Sequence, residues 1–438
     1  MKKILTYLNI FVVLISLLCL YSFSIIHIER GGTRFGSLTE PIKSFYEFPK
    51  LAYAVLRSNE LWGNPLDFKP RDPNFISKNE LTYDVFSLHG SFDNKNSLWE
   101  IRLFNLKDDS VHYEWQVGQE HFDYEGNPIE FFNTDLKNIV LLPNRSIVFR
   151  FNKTNNVVRL DRDSKLVWRV YDRFHHHSIN QDHNNNLWIG SRTQRPFKSA
   201  DGRTYYYRED QLSLYDFSTG ERIFNKSLSE MFQENGMDHI IYGHSNHINS
   251  YDQPDPFHLN DIQPLLTDGE FWKKGDIFLS LRHRSMILLY RPATNKILRV
   301  VQGPFINQHD VDILSDNKIS LFNNNATGIG SKRQMSEYGT PDKLQDSFNS
   351  SDVLIYDLMD STYSNSFKKF FDLEKIYTRT NGLHQFLSNG DLFVESFEEG
   401  KIFILNENEI VFKKQLDTSQ EDMIYLPHWM QLYEDINF

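Results

Sequence analysis

The sequence of 438 residues contains one cysteine, Cys19. A single chain can therefore form no internal disulfide bond and no zinc site built from several cysteines. Basic residues are outnumbered, because 47 Lys and Arg stand against 58 Asp and Glu, which gives a net charge of −11. This balance argues against a general affinity for nucleic acid. The sequence also has no Walker motif and no glycine-rich nucleotide loop, so nothing in it indicates a bound nucleotide.

Hydrophobic residues, in contrast, make up 40% of the chain and aromatic residues 14%. This composition excludes low-complexity disorder and the collagen-like and coiled-coil classes. The length suggests about three domains, but propellers and barrels exceed the usual domain size as single units. We therefore expect a compact fold with a large core.

A membrane helix is predicted at the N-terminus, where residues 4–28 include no formal charge. As a helix this segment would measure about 37 Å, more than the ~30 Å hydrocarbon core of a bilayer. Lys2 and Lys3 precede it, so the positive-inside rule exports everything that follows. The absence of a small-x-small cleavage site favours an uncleaved signal anchor over a removed signal peptide. Bulky leucines before Cys19 argue against a lipoprotein.

The remainder of the chain shows a repeated strand pattern. Short β-rich runs follow polar turn signals that predict tight hairpins with positive-φ residues, at residues 141–149, 181–189, 272–279, 313–321 and 386–394. From Asn144 to Asn184 is 40 residues and from Gly275 to Asn317 is 42, the length of a four-stranded propeller blade. A sixth unit is predicted in residues 81–117. The alternative is a sandwich of unequal sheets.

The predicted fold is therefore all-β, a six-bladed β-propeller behind an N-terminal transmembrane helix. We expect residues 1–30 to form the signal anchor, residues 31–80 a connecting segment and residues 81–438 the propeller. The longer gaps between repeats, 184–275 and 317–389, leave room for insertions.

Four histidines precede predicted hairpins, namely His177, His258, His309 and His384, and His258 lies 17 residues before Gly275 with an insertion between. His177 and His309 each lie seven residues before the turn, and His384 lies five residues before it. Because the first strand of each blade lines the central channel, we expect the four side chains to converge at its mouth. Any one of them alone is more often a polar loop residue. Arg282 follows a β-rich run and would add a cation, so the set would suit a sulfuryl or phosphoryl group.

The segments around these residues resemble the arylsulfotransferases. The resemblance is strongest at residues 257–262, 275–283, 308–310 and 321–324. These are bacterial exported enzymes of six-bladed propeller fold that move a sulfuryl group from a phenolic sulfate to another phenol without a nucleotide donor. The similarity covers roughly residues 141–394. This chain differs from the family at two motif positions. Asp261 follows Asn260 where the family often has Ser, and Ser178 follows His177 where the family often has Asp. The disulfide bond of some members is impossible here, because the chain has one cysteine.

The resemblance implies a role for each motif residue. His309 would be the nucleophile that becomes sulfohistidine, and His177 would be the proton carrier. His258, Asn260 and Arg282 would bind the sulfate oxygens, and His384 is expected to contribute to substrate binding.

The predicted partners are a small-molecule aryl sulfate, a phenol and the membrane, without nucleic acid, cofactor or metal. We expect a single-pass protein of the bacterial inner membrane with its catalytic domain in the periplasm, and homo-oligomerisation is left open. Two other functions remain. One is a propeller that binds a ligand or protein without catalysis, and the other is a metal-dependent sulfate or phosphate ester hydrolase. For the hydrolase, only Asp261 and Asp310 are placed to serve as carboxylate ligands. A cluster of His239, His244 and His247 is either a metal site or a polar loop.

Overall fold

The structure is a computed structural model of the chain, and it describes residues 11–17, 20–25, 38, 41–42, 68–93, 98–122, 135–151, 154–198, 202–243, 255–326, 350–418, 422–427 and 429–436. The chain divides into two compact units, Met1–Asn64 and Pro65–Phe438.

In the first unit, residues 11–17 and 20–25 are helical. None of the helices that the structure describes combines the length and the apolar character needed to cross a bilayer. The other residues of the predicted membrane segment, 4–10, 18–19 and 26–28, lie outside the described residues. The membrane helix therefore stays a prediction from the sequence.

The second unit is built from antiparallel strands in six sheets. The first sheet contains β3 (Phe86–Asp93), β4 (Leu98–Asn105) and β5 (Val111–Val117), joined by β27 (Leu432–Tyr433). The second contains β6 (Leu136–Leu142), β7 (Ser146–Phe151), β8 (Val157–Leu160) and β9 (Leu166–Val170). The third contains β10 (Phe174–Gln181), β11 (Leu187–Lys198), β12 (Thr204–Tyr215) and β13 (Arg222–Ser227).

The other three sheets continue the same order along the chain. The fourth contains β14 (Leu259–Pro264), β15 (Ile277–Leu281), β16 (Met286–Arg291) and β17 (Lys296–Gln302). The fifth contains β18 (His309–Ile313), β19 (Lys318–Asn323), β20 (Asp352–Asp357) and β21 (Thr362–Ser364). The last contains β22 (Leu383–Phe386), β23 (Leu392–Ser396), β24 (Lys401–Leu405), β25 (Ile410–Asp417) and β26 (Met423–Tyr425), with β1 (Phe68–Pro70) and β2 (Lys78–Asn79).

The sheets follow one another in a closed circle. The inner strands contact one another in chain order. The contacts run from β3 to β6, from β6 to β10, from β10 to β14, from β14 to β18 and from β18 to β22. Strands from both ends of this unit close the circle. Near the C-terminus, β27 pairs with β3. The predicted connecting segment contains β1, which pairs with β26, and β2, which pairs with β25. The second unit is therefore an all-β propeller.

Buried apolar side chains fill the space between neighbouring sheets. Phe278 and Leu289 of the fourth sheet pack in one cluster with Leu321 of the fifth. Leu88 of the first sheet shares a cluster with Phe393 of the last. Burial of this surface stabilises each sheet only against its neighbours, which is why the circle must close.

Most of the predicted hairpins have the expected backbone. Asn144, Asn185, Gly275 and Gly390 have φ values of 65°, 66°, 91° and 90°, which only glycine and asparagine adopt easily. The prediction is wrong for the remaining hairpin, since no residue from 314 to 318 has a positive φ. There Ser315 Oγ donates to Asn317 Oδ1 at 2.9 Å, and side-chain bonding supports the turn instead.

The two long gaps between repeats contain insertions, as expected. In the first gap β11 and β12 form a hairpin of twelve paired residues on each side, and two short helices follow at Leu228–Glu234 and Asp238–Tyr242. In the second gap a helix spans Lys368–Glu374, and residues 327–349 lie outside the described residues.

Candidate active site

The predicted motif histidines lie where three inner strands begin. His309 is the first residue of β18, His258 directly precedes β14, and His177 lies within β10. Each strand has a bulge at this point, where its register against the next strand shifts. His177, His258 and Asp310 have φ values of 58°, 53° and 53°. Bulges redirect side chains, and such backbone strain concentrates at functional sites.

The bulges bring three imidazole rings together. His177 Nε2 lies 3.0 Å from His258 Nε2, and the ring centroids are 5.0 Å apart. The His177 and His309 ring centroids are 5.8 Å apart. The structure therefore unites three of the four predicted histidines, and we call them, with Arg282, the histidine cluster.

Arg282 lies in the turn that follows β15 and is 1% exposed. Its backbone N–H donates to His258 O at 3.1 Å, which fixes the turn beside that histidine. In its guanidinium group, Nη1 donates to His283 Nε2 at 2.9 Å and Nη2 donates to Arg379 O at 3.2 Å. A guanidinium held in this way places a buried positive charge next to neutral imidazoles.

His384 takes a different position from the other three histidines. Its Nε2 lies 2.7 Å from Ser320 Oγ and its Nδ1 lies 2.8 Å from Asp310 Oδ2. The expected convergence of all four histidines is therefore not what the structure shows. His384 lies five residues before its hairpin and not seven, which places it further along its strand by about 7 Å at about 3.3 Å per residue.

Asn260 connects two inner strands. Its Nδ2 donates to Gln308 O at 2.7 Å, and the side chain is fully buried. The next residue, Asp261, accepts from Asn180 Nδ2 and from Val311 N, both at 2.9 Å. These bonds join β14 to its neighbours β10 and β18, so both residues hold the inner strands in register. The role of Asn260 in sulfate binding stays a prediction.

A hydrogen bond to Asn324 Oδ1 determines the tautomer of His309. Asn324 Nδ2 donates to the carbonyl oxygens of Thr378 and Asn381, at 2.9 and 2.7 Å. Its Oδ1 therefore faces His309 Nδ1, at 2.6 Å, and can only accept. The imidazole hydrogen must lie on Nδ1, so the lone pair of the neutral ring is on Nε2.

Asp255 positions the rings on the other side of the cluster. Its Oδ2 lies 2.8 Å from His258 Nδ1, and its backbone oxygen accepts from His283 Nδ1 at 2.7 Å. Because His258 donates its Nδ1–H to the carboxylate, its Nε2 has a lone pair. The hydrogen atom between the Nε2 atoms of His258 and His177 is therefore bonded to His177. Sequence reasoning missed Asp255 and His283, although Asp255 lies three residues before His258 and His283 directly follows Arg282.

A second buried carboxylate supports the same region. Asp210 Oδ1 lies 3.0 Å from His176 Nε2 and 3.2 Å from Arg192 Nε, and Asp210 Oδ2 accepts from Leu259 N at 2.9 Å. Asp210 lies on β12, about 50 residues from the strand that it holds. No local pattern in the sequence indicates this contact.

Burial keeps the clustered imidazoles neutral. Removal from water and, to a smaller extent, the positive charge of Arg282 lower the pKa of His309 to about 3. The pKa values of His177 and His258 are lowered well below the usual range, mainly by burial and then by neighbouring histidines. Neutral imidazoles next to a fixed cation can act as nucleophile and base near pH 7.

Two groups of side chains have a spacing suitable for a metal ion among the residues described: Asp255, His258 and His283, and Asp310, Asp312 and His384. Of the first group, His258 belongs to the histidine cluster, and hydrogen bonds already link Asp255 to His258 and His283. Of the predicted cluster of His239, His244 and His247, only His239 lies in the described part of the chain, exposed on a short helix.

Fold and site together define a class of protein: a β-propeller whose inner strands gather neutral histidines beside a buried arginine. Residues 138–416, more than half of the chain, match the arylsulfotransferase (ASST) family. The chain belongs to this family and is an arylsulfotransferase-like enzyme. No curated protein matches the sequence.

Several solved structures are similar to the chain at low sequence identity. A protein of unknown function from Bacteroides caccae is 11% identical, with a TM-score of 0.41 over 78% of this chain and 97% of that chain. A catalytically inactive variant of virginiamycin B lyase from Staphylococcus aureus, solved with quinupristin, is 11% identical, with a TM-score of 0.36 over 84% and 99%. The WD40 β-propeller domain of Doa1 is 11% identical, with a TM-score of 0.34 over 75% and 79%.

Proposed function

We propose that this enzyme transfers a sulfuryl group from an aryl sulfate to a phenolic acceptor through a sulfohistidine at His309. The observation that supports the proposal best is the bond between His309 Nδ1 and Asn324 Oδ1, because it leaves a lone pair on Nε2 of a neutral ring. Family membership supports the substrate class.

In the first half-reaction, His309 Nε2 attacks the sulfur of the bound aryl sulfate. The N–S bond forms, the bond from sulfur to the aryl oxygen breaks, and the electron pair leaves with the phenolate. Arg282 stabilises the negative charge on the sulfuryl oxygens as it shifts in the transition state, a contribution of about 3 kcal/mol for a good donor.

In the second half-reaction, the oxygen of the acceptor phenol attacks the same sulfur and the N–S bond breaks. His177 accepts the phenol proton, because its ring is neutral and lies beside His309. That proton then passes to the next leaving phenolate, so a full cycle neither consumes nor releases a proton. His258, held by Asp255, supports His177 through the bond between their Nε2 atoms.

The proposal extends to the architecture and location. Each of the six sheets is one blade of a six-bladed propeller. The uncharged residues 4–28 behind Lys2 and Lys3 anchor the chain in the bacterial inner membrane as a single pass, with the propeller in the periplasm.

The test is a burst experiment with the purified full chain and a chromogenic aryl sulfate. Without acceptor, we expect one phenol released per chain and a sulfo group trapped on His309. Added phenol should restore turnover with ping-pong kinetics. His309→Ala should give no burst, while His239→Ala, an exposed histidine on a helix, should behave as the wild type.

The other functions predict different results. Steady phenol release without acceptor that a chelator abolishes would indicate the hydrolase. Binding of the aryl sulfate without any phenol release would indicate a non-catalytic propeller. Either result would refute the sulfohistidine transfer.

A further inference from the structure

A cavity of about 440 Å³ lies further along the inner strands than the histidine cluster. Polar side chains from four inner strands line it, among them Asn180 of β10, Gln263 of β14, Asp312 of β18 and Gln385 of β22. Of the residues described around this cavity, none is Lys or Arg. The cavity therefore has oxygen-rich walls and no cationic side chain of its own.

Two carboxylates and one imidazole meet at its wall. Asp310 and Asp312 lie two residues apart on β18, and His384 comes from β22 of the next sheet. One ligand atom from each lies within 4.8 Å of the others, so small side-chain movements would allow all three to bind one ion at bond lengths of about 2.0–2.2 Å. We call these three residues the acidic cluster.

The imidazole of His384 supplies an independent sign of a ligand. The residue is 1% exposed, and its Nδ1 forms no hydrogen bond of normal geometry although it lies 2.8 Å from Asp310 Oδ2. Its other nitrogen, Nε2, lies 2.7 Å from Ser320 Oγ. When Nε2–H is donated to that hydroxyl, the lone pair is on Nδ1, as in histidines that bind metals.

The carboxylates are poorly compensated in the absence of a cation. Asp310 is 5% exposed and receives one N–H, from the backbone of His384 at 2.7 Å. Burial removes from Asp310 the water that would otherwise solvate its charge. A bound dication would offset this cost of desolvation. The side chain of Asp312 is 28% exposed and provides a path from solvent.

We propose that Asp310, Asp312 and His384 bind one divalent transition-metal ion, Zn²⁺ or Mn²⁺, at the wall of this cavity. Mixed carboxylate and imidazole donors favour these ions, since Ca²⁺ and Mg²⁺ prefer oxygen alone. The ion would join β18 to β22 and so link the fifth sheet to the last.

The experiment uses equilibrium dialysis of the purified full chain against Zn²⁺ or Mn²⁺, followed by metal analysis and, for Mn²⁺, electron paramagnetic resonance. We expect one ion per chain and a rise in Tm with metal concentration, because the ion binds only the folded chain. Asp312→Asn should weaken binding at least tenfold. Asp316→Asn, an exposed aspartate in the following hairpin, should bind as the wild type does.

Circular dichroism without metal checks that each variant folds, and His384→Gln replaces Asp312→Asn if the latter does not. The proposal is overturned if the wild type binds neither Zn²⁺ nor Mn²⁺, or if the folded variant keeps wild-type affinity. Because no substrate is present, the outcome is independent of the sulfuryl transfer.

Discussion

The histidine cluster and the acidic cluster meet on the inner strand β18 but respond to burial in opposite ways. His309 begins β18, and Asp310 is the next residue. Removal from water disfavours the charged form of either group, so it lowers the pKa of His309 and raises that of Asp310. The first effect produces a neutral nucleophile that is ready to react. The second produces a carboxylate that needs a proton or a cation.

The comparison shows that one physical effect supports two functions when the residue type changes. Hydrogen bonds decide how each group is used: an amide oxygen orients His309, whereas the Nδ1 of His384 forms no hydrogen bond of normal geometry. The predictions below test the histidine cluster and then a buried carboxylate outside both clusters, in order of decreasing effect.

The largest effect is expected from removal of the nucleophile. His309→Ala should reduce sulfuryl transfer by about 10³-fold or more, since no other group can form the covalent intermediate. The measurement is kcat/KM with a chromogenic aryl sulfate. Substantial activity in a folded variant would show that the two clusters do not differ in the way proposed.

Arg282→Ala removes the buried cation of the histidine cluster. We expect a loss of about 100-fold in kcat, the equivalent of about 3 kcal/mol of transition-state stabilisation. Arg282→Lys should recover only part of it, because an ammonium cannot donate in parallel to two oxygens. Equal activity of the two variants would contradict a role that depends on the guanidinium shape.

His177→Ala should act according to the leaving group of the donor. Poor leaving groups need the proton most, so we expect about a 100-fold loss with them and a much smaller loss with good ones. A series of substituted phenyl sulfates gives the slope of log kcat/KM against phenol pKa. An unchanged slope would remove His177 from proton transfer.

Asn324→Ala tests a positioning residue. Without Oδ1 the ring of His309 loses its fixed tautomer, and we expect kcat to fall about tenfold while KM stays near the wild-type value. The burst rate in the absence of acceptor should fall by the same factor. A change in KM alone would indicate a merely structural role for Asn324. A loss of thermal stability without a slower burst would indicate the same.

The smallest effect concerns Glu395, a buried carboxylate that accepts from the backbone N–H groups of Trp429 and Met430 near the closing strand. Burial raises its pKa to about 7, above the ordinary value of 4.5. Between pH 4.5 and about 7 the folded chain therefore holds a proton that the unfolded chain has lost. The stability, about 3 kcal/mol, is fully present below pH 4.5 and is lost as the pH rises through about 7.

Glu395→Gln should remove this decrease in stability between pH 5 and pH 8, as measured by urea unfolding. Glu407→Gln, an exposed control in the turn between β24 and β25, should keep the wild-type profile. A Glu395→Gln profile identical to that of the wild type would show that burial alone does not shift this carboxylate.

Much of the propeller could be predicted from the sequence because hairpin signals are local. Asn144, Asn185 and Gly390 lie in turns whose backbone only certain residues adopt, and β-forming runs flank them. The family motif likewise indicated His177, His258 and His309, and the structure brings their rings together. His384 was expected to join them and does not, and its shorter distance to the hairpin is the signal in the sequence that argued against this expectation.

The sequence by itself determined the strand order, the turns and the residue types available for chemistry, since these depend on neighbours within one hairpin. Only the tertiary structure decided that Asn324 orients His309, that Asp255 holds His258, and that Asp310, Asp312 and His384 share one cavity wall. Closure by β27 against β3 joins residues about 340 positions apart, such as Ser87 and Gln431. Contacts of this kind depend on strand register and on the packing of whole sheets, which no local pattern specifies.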